Sequence, residues 1–188
     1  MIYKRFLSFI YLLLCAQIAF SEALTITVTE GYKGAKPVAI VPFESASELP
    51  ENISDIIFSD LKRSGRFNLQ NSNQFPALPH HGNAVQFPQW RAIDSEYLII
   101  GGVKVNGPGG YIIRFEIFDV VKGELLKVYN LTATENQLRR AAHKAADLIY
   151  QVLEGVPGDF SSRIAYITTN RLLDGRDKIT LNVADADG

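Results

Sequence analysis

The chain has 188 residues, 19 Lys and Arg against 20 Asp and Glu, and a formal charge of −1. That balance argues against a polyanion-binding protein, which would be basic. The single cysteine, Cys15, argues against a disulfide framework and against cysteine-ligated metal. The first 23 residues, "MIYKRFLSFIYLLLCAQIAFSEA", set Lys4 and Arg5 before an apolar run and end on the small residues Ser21 and Ala23. Such a segment reads as a cleaved secretory signal peptide. A membrane anchor would want about 20 unbroken apolar residues, and Gln17 and Glu22 interrupt this run. Leu14 before Cys15 does not suit a lipid-attachment cysteine, which follows a small residue. Cleavage after Ser21 and cleavage after Ala23 both fit. Cutting after Ala23 removes Lys4, Arg5, Glu22 and Cys15, leaving no thiol and a charge of −2.

The mature part opens on "LTITVTEG", where Leu24, Ile26 and Val28 alternate with threonines, a strand pattern. "PVAIVPF" (37–43) is an apolar β-branched run that suits a strand buried on both faces. The period then changes. Ile53, Ile56, Ile57 and Leu61 lie on one helical face, with Pro50 placed for the first turn and Gly65 for the position after the last. "RFNLQ" reads as a short strand. Residues 71–89 are rich in Pro, Asn and Gln without period, which predicts a long surface loop, and a helical turn is expected at 90–93.

Three strands follow, "EYLIIGGVKV", "GYIIRFEIFDV" and "ELLKVYNLTAT", joined by the hairpin-grade connections "NGPGG" and "VKGE". Thr134 and Gln137 form a capping-box pattern before a helix whose apolar face includes Leu138, Ala142, Ala145, Ile149 and Val152, closed by Gly155. Residues 24–155 therefore predict one α/β domain, a mixed β-sheet with two helices. Residues 156–162 read as a linker. Residues 163–188 carry two strands with Asp-Gly turns at Asp174-Gly175 and Asp187-Gly188. Two strands alone are marginal, so they read as the truncated first blade of a β-propeller, and the chain as a piece of a longer protein.

The ordered set of "TEG", "PVAIVPF", "DLKRSGRFNL", "SEYLIIGG", "RRAAHKAADLIYQVLEGVPGDFSSRIAYIT" and "LNVADADG" resembles the TolB family, from about Leu24 to Gly188. The resemblance implies an α/β domain like the anticodon-binding domain of some tRNA synthetases, followed by a six-bladed propeller. It implies a periplasmic component of the Tol–Pal envelope system with no catalytic activity, no cofactor and no metal. Its partners would be TolA, taken by the N-terminal segment Leu24, Thr25, Ile26, Thr27, Val28, Thr29, Glu30 and Gly31, and Pal, taken by a propeller missing from this chain. Phe160, Arg163 and Tyr166 match the family's domain junction. Its role would be to support the outer membrane during cell constriction. The other reading is the N-terminal part of a secreted hydrolase that carries a propeller.

Several residues invite chemistry. His143 and Asp147 stand i, i+4 on the second helix and could meet as an acid–base pair or half a metal site. Without a third partner at a known spacing, the simpler reading is a structural hydrogen bond from this helix. His80 and His81 read as exposed loop residues. Arg139, Arg140 and Lys144 read as a solvated basic face. The sequons at Asn52 and Asn130 read as accidental, the second because it falls within a strand.

Overall fold

The computed structural model describes residues 34–46 and 48–187. The strand predicted at 24–31 lies outside them. Strand β1 (Lys36–Ile40) is followed by the two-residue strand β2 (Glu44–Ser45), helix α1 (Ile53–Arg63) and strand β3 (Phe67–Leu69). A short helix α2 (Phe87–Arg91) precedes the meander β4 (Tyr97–Val105), β5 (Gly110–Asp119) and β6 (Glu124–Thr134). Helix α3 (Leu138–Glu154) then leads to the hairpin β7 (Arg163–Arg171) and β8 (Asp177–Asp185).

Among the described residues the first sheet runs β3-β1-β4-β5-β6, with β2 also pairing to β4. Strands β1 and β3 lie parallel, as do β1 and β4, whereas β4, β5 and β6 are antiparallel. The sheet is therefore mixed, as the sequence predicts. Strand β1 and the residue after it are buried on both faces. Val38 and Ile40 point to α1 and α3, while Ala39 and Val41 point the other way. This alternation is the period-two consequence of the strand pleat.

Three departures from the sequence reading have local causes. Helix α1 starts at Ile53 because Asn52 caps it, its Oδ1 accepting the Asp55 N–H at 3.4 Å and the Ser54 hydroxyl at 2.8 Å. Pro50 consequently stands outside the helix. Helix α2 begins at Phe87 rather than at Trp90, with Pro88 in its first turn, so the described residues hold three α-helices instead of two. Residues 71–93 do more than loop over the surface. Two 3₁₀ turns and α2 carry Phe75, Val85, Phe87 and Trp90 onto the second face of the sheet, where Trp90 is completely buried beside Leu98, Ile100 and Phe118. Phe75 meets Trp90 edge-on at 5.2 Å. Without that cover a whole apolar sheet face would be left to water.

Glycines serve the tight connections where they were expected. Gly107 and Gly109 have φ of 74° and 67° in the β4–β5 turn, and Gly123 has 74° in the β5–β6 turn. Such values suit a residue without Cβ. The capping box at Thr134 and Gln137 forms as predicted, and Gly155 closes α3 at φ 77°.

Candidate functional site

Helices α1 and α3 pack side by side on one face of the sheet. On α1, Ile53, Ile56, Ile57, Asp60 and Leu61 all turn inward. Asp60 thus occupies an apolar register and is 1% exposed. It faces His143 of α3, equally buried, whose Nδ1 lies 2.6 Å from Asp60 Oδ2. Arg63 donates to the other carboxylate oxygen at 2.8 Å. Burial raises the Asp60 pKa above the ordinary aspartate value, and the His143 bond and the Arg63 charge oppose that rise without cancelling it.

The opposite ring nitrogen of His143 faces the segment after β8. Nε2 is buried, has no hydrogen-bond partner among the described residues, and stands 3.4 Å from Asp187 Oδ1. Arg139 binds Asp187 Oδ2 and also approaches Glu51 at 3.5 Å. Among the described residues, Asp60, His143 and Asp187 bring three potential ligand atoms within 4.8 Å of one another.

His143 and Asp147 share a helix but not a bond, which corrects the possibility that they form a pair. One turn on, Asp147 is 4% exposed and accepts the Phe160 N–H at 2.7 Å, the Ser161 N–H at 3.3 Å and the Ser161 hydroxyl. The carboxylate thus ties the 156–162 segment down onto α3. Gly158 makes the close approach possible, since a Cβ there would lie 2.8 Å from the Asp147 Cα. Phe160 is 7% exposed, joins the core under α1 and α3, and meets Tyr150 edge-on at 5.7 Å. Arg163 and Tyr166 sit on β7, both exposed, with Arg163 3.6 Å from Asp185. The structure therefore gives Phe160 a burial site against α3 and leaves the other two residues at the surface.

The remaining sequence candidates separate. His81 is exposed, but His80 is half-buried and its Nδ1 has no hydrogen-bond partner among the described residues; both line a cavity of about 370 Å³ with Glu116, Arg114 and Val103. The basic face is only partly solvated. Arg139 is committed to Asp187 and Glu51, while Arg140 lines an open groove of about 830 Å³ with Arg163. Asn52 is the α1 cap, and Asn130 lies in β6. Residues 24–31, the predicted TolA-binding segment, fall outside the described residues. Sequence reasoning missed Asp60 and Asp187. The first was detectable as a carboxylate in register with an isoleucine face, while the second left no signal in the sequence.

Residues 24–126 match the model of the TolB amino-terminal domain. The chain belongs to this family, in agreement with the motif resemblance. It is 41% identical over 169 residues to the Tol-Pal system protein TolB of Thioalkalivibrio sulfidiphilus, covering 88% of this chain and 39% of that protein. With the Tol-Pal system protein TolB of Methylococcus capsulatus it shares 34% over 184 residues, 98% of this chain and 42% of that protein. The crystal structure of TolB from Acinetobacter baumannii superposes with a TM-score of 0.67 at 35% identity, over 82% of this chain and 37% of that chain. The chain thus spans about two fifths of the length of the curated relatives it matches.

Proposed function

We propose that this protein is a non-enzymatic docking component of the Tol–Pal system, exported to the periplasm of a Gram-negative bacterium after loss of its first 21 or 23 residues. One observation carries the reading: the TolB amino-terminal domain match begins at residue 24, directly after the expected cleavage site. In this reading residues 24–31 take TolA, residues 24–155 form the α/β domain, and residues 163–188 contribute to an all-β propeller that takes Pal. The function is to support outer-membrane integrity during constriction. The apolar side chains that β7 and β8 expose, Ile164, Ile167, Leu181 and Val183 among them, favour a sheet that accepts further strands. The buried polar residues of the helix pair are consistent with scaffolding, since Asp147 is spent on the 156–162 segment and Asp60 on His143 and Arg63.

A free terminal segment with alternating apolar residues can add to a partner's sheet edge. Deleting residues 24–30 is expected to abolish binding of labelled TolA C-terminal domain and to leave the melting curve unchanged. Equal binding by the deleted and intact proteins would place the recognition surface elsewhere.

A further inference from the structure

We infer that His143 and Asp187 form a binding site for a zinc-type divalent ion, with Asp60 as the carboxylate that orients the histidine. The site is independent of the docking reading above. It rests on what faces each nitrogen of one buried ring.

At Nδ1 the distance calls for a shared hydrogen. A nitrogen 2.6 Å from a carboxylate oxygen must share a hydrogen with it, and Arg63 at 2.8 Å favours the ionised form of Asp60. With that hydrogen on Nδ1 of a neutral imidazole, Nε2 is a lone pair. Nε2 is enclosed, has no donor among the described residues, and stands 3.4 Å from Oδ1 of Asp187. The ring is buried and Asp187 is exposed, so a lone pair and a carboxylate oxygen meet where ions from solvent can reach, and a cation between them relieves their repulsion.

The spacing indicates which kind. At 3.4 Å the Nε2–Oδ1 gap exceeds a good N–H···O hydrogen bond of about 2.7–3.2 Å. Zinc bonds of about 2.0–2.2 Å to nitrogen and oxygen, at tetrahedral angles, place two ligand atoms about 3.3–3.6 Å apart. The gap therefore matches the bite of a tetrahedral ion. The second carboxylate is also where such a site needs it. Metal-binding histidines characteristically donate their other ring N–H to a carboxylate, which fixes the tautomer and raises the basicity of the ligating nitrogen. Asp60 supplies that bond from a different helix. Imidazole and carboxylate together suit zinc and its transition-metal neighbours. The remaining positions fall to water or to the second oxygen of Asp187 when Arg139 releases it. Because Asp187 follows β8 while Asp60 and His143 belong to α1 and α3, the ion would also fasten the hairpin to the helix pair.

The test is calorimetric titration of zinc chloride into the chelator-treated full chain at pH 7.5. One saturable site is expected. Asp187→Asn, which touches no packed core, should weaken it at least ~10-fold, His143→Gln should remove it, and Asp60→Asn should weaken it ~10–100-fold. The double variant His80→Gln/His81→Gln should bind as the parent does. Nitrogen-15 spectra of the imidazole should show Nε2 shifted by the metal and Nδ1 protonated. Four results would each overturn the site: no saturable binding, equal binding by Asp187→Asn and the parent, loss only in the His80/His81 variant, or an Nε2 that carries a proton at saturating zinc. The last would mean that a proton is the cation and His143 an imidazolium bridging two carboxylates.

Discussion

Strands β5 and β7 are built from similar residues and both pair antiparallel, yet their surroundings are opposite. In β5, Ile113, Phe115 and Ile117 are completely buried because α1 and α3 close the face they share, and Phe118 packs on the other face under residues 71–93. In β7 every residue is exposed, although Ile164, Tyr166 and Ile167 would suit a core. Local pattern is enough to draw a strand and pair it with its neighbour. Burial depends on what the rest of the chain lays over it. The 156–162 segment separates the two situations and is itself bound firmly to the first.

The strongest way to sharpen this contrast is a matched pair of truncations. Phe115→Ala in the covered sheet should cost about 3–5 kcal/mol, whereas Ile167→Ala in the hairpin should stay within about 0.5 kcal/mol. Denaturant melts of both variants decide it, and comparable losses would mean that β7 is covered in solution. Phe160→Ala comes next, at about 3 kcal/mol, because its ring belongs to the helix-covered core. The same variant should loosen the hairpin relative to the helices, measurable by solution scattering.

Asp147→Ala should cost about 2 kcal/mol by stranding the Phe160 and Ser161 donors. It should also open the 156–162 segment to limited proteolysis. Unchanged cleavage there would show that Phe160 alone holds the segment.

The smallest of the expected losses outside the hairpin lies at the end of α3. Burial would raise the Glu154 carboxyl, but hydrogen bonds from Arg66 and Lys36, reinforced by their charges, outweigh it and hold the group below the ordinary glutamate range. A carboxyl whose pKa is lower folded than unfolded binds fewer protons when folded. Its stabilisation is therefore fully present above the ordinary range and is lost as the pH falls through the depressed folded value. Arg66 is mostly exposed and screened, so Glu154→Gln should remove only about 1 kcal/mol at neutral pH. It should also flatten the acid limb of the stability profile, and an unaltered acid limb would deny the cluster its role.

What could be read from the sequence follows the same division. The β1 run, the meander, the capping box and the glycine turns were legible because each is a local device with its own period or conformation. The cover supplied by residues 71–93 was not, since Phe75, Val85 and Trp90 reach the sheet at irregular spacing. The partners of His143 were hidden for a related reason. The i, i+4 rule points to Asp147, but the nearer carboxylate belongs to another helix, and Asp147 is occupied by Phe160 and Ser161. Contacts between elements far apart in the chain carry no periodicity. The propeller expectation rests on the strand pair 163–188 together with the ordered motifs, and the TolA expectation on the ordered motifs alone.

The mixed sheet has a kinetic corollary. Strands β4, β5 and β6 are joined by tight turns, and hairpins of that kind close in about 1–10 μs. Strand β1 comes earlier in the chain, but its place beside β4, with Val38 opposite Tyr97, exists only after all the residues between them have been made. Closing so long a loop comes before any reward from pairing. The apolar run 38–41, with Val38, Ala39 and Val41 at 0% exposure once folded, must therefore wait in the unfolded chain for β4. Pulsed hydrogen exchange during refolding should protect the β4–β6 amides before those of β1. A factor that holds the nascent chain would have most reason to seize it at "VAIV".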